Sequence, residues 1–184
     1  MTILHIDSSI NGEDSVSRII SRSIVDQLKA VSPDAQVVRR DLGREPLPHF
    51  TLDAFADSSV VDEFLAADIV VLGTPMYNLG IPSQLKAWID RLAVVGKTFR
   101  YTEKGPEGLA GSKKVIVASS RGGFYGADTP LAALDHQESY LRTFFGFLAV
   151  TDIAFVRAEG VAVGPEGRLK AIESARSAVS KLAA

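Results

Sequence analysis

The chain has 184 residues, with 20 lysines and arginines against 22 aspartates and glutamates, a net charge of −2 and no cysteine. That length suits one domain able to bury roughly 70% of its unfolded surface, and the missing thiols exclude disulfides, thiolate nucleophiles, Cys-ligated zinc and iron–sulfur clusters, as in a reducing cytosol. Basic residues are scattered rather than massed, which argues against nucleic-acid binding and for a small-molecule ligand.

Thr2 to Ile6 reads as a short buried strand that stops at the turn formers Asp7-Ser8-Ser9-Ile10-Asn11-Gly12. Val16, Ile20, Ile24, Leu28 and Val31 then recur at helical spacing, with Ser15 as N-cap and Pro33 as the stop. The hydroxyls of Ser9, Ser15 and Ser17 thus meet the free N–H groups of a helix N-terminus, an arrangement that binds a phosphate. The plainer alternative is that Ser15 only caps and the other serines decorate a loop. Arg18 either adds charge to that site or is a solvated helix residue. The turn holds one glycine, Gly12, and no Gly-Lys-Ser or Gly-Lys-Thr, so it is neither a dinucleotide fingerprint nor a Walker loop. A mononucleotide is the better match.

Ala35 to Leu42 reads as a second strand, Gly43 to Ser59 as loop, Val60 to Ala67 as a helix and Ile69 to Leu72 as a third strand. That strand runs into Gly73-Thr74-Pro75-Met76-Tyr77-Asn78-Leu79-Gly80-Ile81-Pro82, after which Ser83 opens a helix carrying Leu85, Trp88, Ile89 and Leu92. Tyr77 offers a flat apolar face and Asn78 an amide, the properties needed to hold a planar heteroaromatic ring; the plainer alternative is a βα turn with an N-cap. Lys97 to Gly108 has hairpin character. A fourth strand, Lys114 to Ala118, leads to Ser119-Ser120-Arg121-Gly122-Gly123, whose adjacent glycines either let backbone N–H groups approach a ligand carbonyl or a developing anion or make a mobile connection. Leu131 to Val150 reads as mainly helical, its face of Leu141, Phe144, Phe145 and Leu148 serving core packing or a partner subunit; Ile153 to Ala158 is a fifth strand and Pro165 to Leu182 a closing helix.

Strands alternating with helices imply an α/β, doubly wound parallel sheet of five strands in order 2-1-3-4-5, with helices on both faces. In such a sheet the turns after strands 1, 3 and 4 are neighbours. Together they form a groove with a phosphate socket at one end and an aromatic and amide wall facing a glycine-rich loop, which suits FMN. No carboxylate pair, metal-ligand set or other catalytic side chain recurs, and His5 in a core strand reads as structural. A flavin carries its own chemistry, so this absence is compatible with a flavoenzyme. The start Met1 to Asp7 lacks the features of a secretion signal, and the apolar run Phe144 to Val150 is far shorter than the ~20 residues that span a bilayer; a soluble cytoplasmic protein is expected.

Thr74-Pro75-Met76-Tyr77-Asn78, Thr98-Phe99-Arg100-Tyr101-Thr102 with Gly105-Pro106-Glu107-Gly108, Ser120-Arg121-Gly122-Gly123, Phe144-Phe145-Gly146-Phe147 and Ala158-Glu159-Gly160 strongly resemble the FMN-dependent NADH:azoreductases, which are flavodoxin-like NAD(P)H:quinone and azo-compound reductases. The resemblance covers nearly the whole chain. It implies that Ser9, Ser15, Val16 and Ser17 hold the FMN phosphate, that Met76, Tyr77, Asn78 and Leu79 line the isoalloxazine, and that Ser120, Arg121, Gly122 and Gly123 cover its other edge. It also implies a homodimer with sites at the interface, where Tyr101 and Phe147 wall the substrate pocket. One stretch departs: Leu47 to Glu63 is shorter than the family's usual segment, which helps to shape that pocket. The expected activity is ping-pong hydride transfer from NADH or NADPH through FMN to a quinone or azo compound. Two alternatives stand beside it, a flavodoxin-like electron carrier and a binding module without cofactor.

Overall fold

The computed structural model describes residues 1–182. Five parallel strands form the central sheet: β1 (Thr2–Asp7), β2 (Gln36–Asp41), β3 (Ile69–Pro75), β6 (Lys114–Ser120) and β7 (Asp152–Ala158), in spatial order β2-β1-β3-β6-β7. The short strands β4 (Phe99–Thr102) and β5 (Gly105–Gly108) make a separate antiparallel hairpin. With those two set aside, the order is the expected 2-1-3-4-5.

Alternate side chains of the strands enter two different apolar clusters, as the period-2 geometry of a strand requires. Leu4, Ile6, Val70, Leu72, Val115 and Val117 lie with residues of α3 (Ser59–Ala66), α4 (Ser83–Ile89) and α5 (His136–Phe147). Ile3, Val71, Ile116 and Ala118 lie with residues of α1 (Val16–Val31) and α6 (Pro165–Lys181). Strands apolar at every position are those with both faces covered, and β3 shows it, with all but its first residue buried. Trp88 and Phe64 meet edge to face at 6.1 Å in the first cluster. Leu141, Phe145 and Leu148 are fully buried there and Phe144 packs against it, so core packing accounts for that apolar face of α5.

Several boundaries differ from expectation; the helix opened by Ser83, expected to carry Leu92, ends at Ile89. The presumed loop 43–59 contains a one-turn helix, α2 (Leu52–Ala56), started by Thr51, whose Oγ1 accepts from Ala54 N–H. Helix α5 begins at His136 rather than near Leu131, because the Asp135 carboxylate accepts from the N–H groups of Gln137 and Glu138 and so fixes the first turn there. Strands β3 and β6 each run on to residues 75 and 120, carrying the ladder right up to the turns that follow.

Candidate functional site

Because β1, β3 and β6 are parallel and adjacent, the turns that follow them emerge side by side at one edge of the sheet. They are tied to one another. Ser8 N–H donates to the Gly73 carbonyl at 2.9 Å and Met76 N–H to the Ser120 carbonyl at 2.8 Å. The Tyr77 hydroxyl lies 3.3 Å from Ser9 Oγ and accepts from Ile10 N–H at 3.3 Å, so the aromatic turn is stitched to the serine turn.

In the first turn, Ser15 caps α1 and its Oγ lies 3.0 Å from Ser17 Oγ. Among the described residues, the N–H groups of Val16 and Ser17 have no protein acceptor. Two free amides on a helix N-terminus, with the hydroxyls of Ser15 and Ser17 beside them, are groups that can receive an anion. Arg18 is not solvated. Its side chain is 2% exposed and grips the Asp41 carboxylate through both terminal nitrogens.

In the second turn, Tyr77 and Gly80 exchange both backbone hydrogen bonds at 3.0 Å, which forces Asn78 and Leu79 to φ of 47° and 72°. This is a two-residue hairpin turn of the kind that favours asparagine. A leucine held in the left-handed region costs roughly 1–2 kcal/mol, and it leaves the amides of Asn78 and Leu79 unpaired among the described residues.

In the third turn, the carbonyls of Arg121, Gly122 and Gly123 accept from Val161, Ala162 and Gly160 N–H at 3.0, 3.1 and 3.0 Å. Their carbonyl sides are therefore occupied, while the N–H groups of Gly122 and Gly123 have no protein acceptor among the described residues. Arg121 was expected to cover a ligand edge, yet its side chain is fully buried. It bonds Ser119 Oγ at 3.0 Å, Asp135 at 2.9 Å, Glu159 at 3.4 Å and Glu138. Glu159 in turn accepts from Tyr125 N–H at 2.7 Å. Arg121 thus anchors the loop with its side chain and has only backbone left for a ligand. Gln137, also fully buried, accepts from Ser119 and donates to the Thr74 carbonyl, joining α5 to both strands.

Beneath the first turn lies a second polar group that spacing alone had not assembled. His5 Nε2 sits 2.9 Å from Ser21 Oγ, which donates to Asp7 Oδ1 at 2.8 Å, and Arg18 and Arg39 approach Asp7 Oδ2 at 3.6 and 3.2 Å. His5 is structural, as expected. Burial alone would raise the Asp7 pKa, but His5, Ser21 and Arg18 outweigh it and hold the carboxyl below its ordinary range. A depressed folded-state pKa stabilises the fold above the unfolded value and loses that contribution as pH falls through the folded one. Asp7→Asn is therefore expected to lower stability at pH 7 and to flatten the loss of stability below about pH 4. Urea unfolding of both proteins at pH 7 and in the acid range checks this, and parallel pH slopes would refute it.

Tyr101 and Phe147 do meet each other's neighbourhood, both packing on Phe99 at 5.4 and 4.9 Å. They do not meet the three turns of their own chain. Helix α5 starts at the turns and ends at Phe147, and its 12 residues make about 18 Å at 1.5 Å per residue. Tyr101 is 72% exposed. A cavity of about 720 Å³, lined by Phe50, Gly80, Ile81, Lys86, His136 and Tyr140 among others, opens beside the second turn instead. No group of three or more potential metal ligands occurs among the described residues, and no helix there is long and apolar enough to cross a membrane.

Residues 1–183 match the family model described as flavodoxin-like fold. A curated protein of Bradyrhizobium sp. (strain BTAi1), named FMN-dependent NADH:quinone oxidoreductase, is 55% identical over 201 residues that cover all of both chains. That alignment exceeds the 184 residues here, so the relative carries residues with no counterpart in this chain. Among solved structures, an azoreductase from Bacillus anthracis str. Sterne superposes with a TM-score of 0.89 at 30% identity, covering 100% of this chain and 98% of that one. An FMN-dependent NADH-azoreductase from Bacillus anthracis str. Ames Ancestor, solved in complex with FMN, superposes at 0.85 with 25% identity, covering 100% and 99%. Sheet order, the three joined turns and these likenesses agree: the chain belongs to the flavodoxin-like family that includes the FMN-dependent NADH:quinone oxidoreductases and azoreductases.

Proposed function

We propose that this chain is an FMN-dependent NADH:quinone oxidoreductase that also reduces azo compounds, built as one FMN-binding domain over its full length, with helices on both faces of the sheet. The observation that carries the reading is the set of amides at three adjacent turns that have no protein acceptor among the described residues: Val16 and Ser17 at the serine end, Asn78 and Leu79 in the aromatic turn, and Gly122 and Gly123 opposite. Bound FMN would supply two-electron redox chemistry between NADH and the acceptor.

The chain's own residues bind and orient. Val16 and Ser17 N–H groups, with the hydroxyls of Ser9, Ser15 and Ser17, would hold the phosphate, each charge-assisted bond contributing about 1.5–3 kcal/mol. Met76 to Leu79 would line the ring. Gly122 and Gly123 would donate to the carbonyl edge of the ring, where fixed backbone dipoles stabilise negative charge without reorganising; Ser120 would border the same edge, and Arg121 serves by anchoring the loop. No side chain is assigned as acid, base or nucleophile.

The reading includes a homodimer in the cytoplasm. Tyr101 and Phe147 lie a helix length from their own chain's turns, so they wall a substrate pocket only if a second copy brings them there. Exposed Phe50, Leu52 and Phe55 support the same inference. The stretch 47–63, taken as the place where this chain is shorter than its relatives, would set the acceptor range.

An electron carrier is the competing reading, but a net charge of −2 offers little of the charged docking face such carriers use. Anaerobic titration of the FMN-loaded protein with NADH should bleach the flavin band at about one equivalent, and a simple quinone should restore it. A band that neither NADH nor NADPH bleaches would favour the carrier, and a protein that binds no flavin would end both readings.

A further inference from the structure

Arg18 is bonded to both ends of the serine turn. Its backbone N–H donates to the N-cap Ser15 Oγ at 3.4 Å, and its Nη2 donates to the Ser9 carbonyl at 3.0 Å. The same guanidinium holds the Asp41 carboxylate, whose Oδ1 also accepts from Gly43 and Arg44 N–H at 3.1 Å each. One buried residue therefore closes the loop from Ser9 to Ser15 and pins it to the end of β2.

Gly43 completes the clamp from the other side. A Cβ there would lie 2.2 Å from the Ser9 carbonyl oxygen and 2.8 Å from Arg18 Nη2. No side chain fits without pushing Ser9 away from its place, so the β2 turn approaches the loop as closely as backbone can.

The charge of Arg18 is not free to act on a ligand. Asp41 and Asp7 flank it at 2.5 and 3.6 Å, and the side chain is 2% exposed. What it supplies is position, through a planar fork that can bond a carboxylate and a carbonyl at once; lysine, a point charge, cannot reproduce that.

We propose that Arg18 and Gly43 are positioning residues that set the preference for a phosphorylated over an unphosphorylated flavin. They hold Ser9 and the α1 N-terminus in register with one another, while the ring is received by the turns after β3 and β6, to which Arg18 makes no hydrogen bond or ion pair and which reach the serine turn through the long 3.3 Å contacts of the Tyr77 hydroxyl. The inference rests on the FMN reading above. It goes beyond that reading by assigning ligand selectivity to two residues that contact no ligand.

The test is to measure equilibrium dissociation constants of FMN and of riboflavin for the full-length wild type, Arg18→Lys and Gly43→Ala, by quenching of flavin fluorescence. Wild type should prefer FMN. Both variants should lose FMN affinity at least tenfold while riboflavin affinity stays within about twofold, so the FMN-to-riboflavin ratio collapses. Gly43→Ala keeps every charge and every hydrogen-bonding side chain, and it decides the matter alone should Arg18→Lys fail to fold. An unchanged ratio, whether both affinities hold or both fall together, would overturn the proposal and leave Arg18 a structural ion pair. A wild type that binds neither flavin would instead overturn the FMN reading on which it stands.

Discussion

Arg121→Met is expected to destabilise the protein by about 3–5 kcal/mol, the range for removing one partner of a buried ion pair, and to release flavin as well. Methionine fills much of the space of the arginine stem but leaves Asp135 and Glu159 without their cation; Glu138 keeps Arg157, which donates to both of its carboxylate oxygens. The side chains of Asp135 and Glu159 are 13% and 21% exposed, so water softens the penalty and the lower end of the range applies. Loss of the Arg121 side chain also frees the loop that presents the Gly122 and Gly123 amides. Urea midpoints compared with those of Arg142→Met, a half-exposed arginine on the same Glu138, separate the two cases: the surface pair should change stability by no more than about 1 kcal/mol. Arg121→Met/Glu159→Gln should recover part of the loss, since one orphaned charge is gone. Equal small losses for both arginines would show that the buried cluster contributes no more than a surface contact.

Val16→Pro should leave the fold in place and weaken FMN binding about tenfold to a hundredfold. Proline is at home at the first helical position, where its missing N–H costs the helix nothing and its fixed φ matches. Ser15, at φ −70° and ψ 124°, already has the extended conformation that a residue before proline adopts. The substitution thus deletes one free donor of the phosphate socket while sparing the helix, and a charge-assisted bond of about 1.5–3 kcal/mol is worth one to two decades of affinity. Calorimetric titration of the flavin-free protein with FMN gives the number, with circular dichroism to show that α1 persists. Unaltered affinity would remove the Val16 amide from the site.

The sheet was legible because its signal is local. Each buried strand is a short apolar run closed by turn formers, and each long helix repeats apolar residues over several turns. Helix α2 was not legible, since one turn is too short for any period to show. The three turns could be found by their glycines, serines and prolines, but not the direction in which their side chains face. Arg18 and Arg121 show the difference. A charged residue beside a turn reads as solvent-facing or as a ligand contact, because what buries it lies far along the chain: Asp41 is 23 positions from Arg18 and Glu159 is 38 from Arg121. Tyr101 and Phe147 pose the opposite problem, since they were expected to act across a subunit interface. Their place in the chain suits a pocket wall, and only the run of α5 shows that a single copy cannot put them there.

The bonds on the carbonyl side of the third turn have one more consequence. Carbonyls of residues 121 to 123 are fastened to the amides of the turn at 160 to 162, so the backbone there is held still even though the N–H groups of Gly122 and Gly123 have no acceptor among the described residues. Ordinarily an amide without a partner is a sign of a mobile segment, and it trades its hydrogen with water quickly for that reason. Here immobility and rapid exchange should coexist in the empty protein. Deuterium uptake at Gly122 and Gly123, and likewise at Val16, Ser17, Asn78 and Leu79, then becomes a map of the ligand itself: six amides slow on loading, with no change in the surrounding backbone to confuse the record.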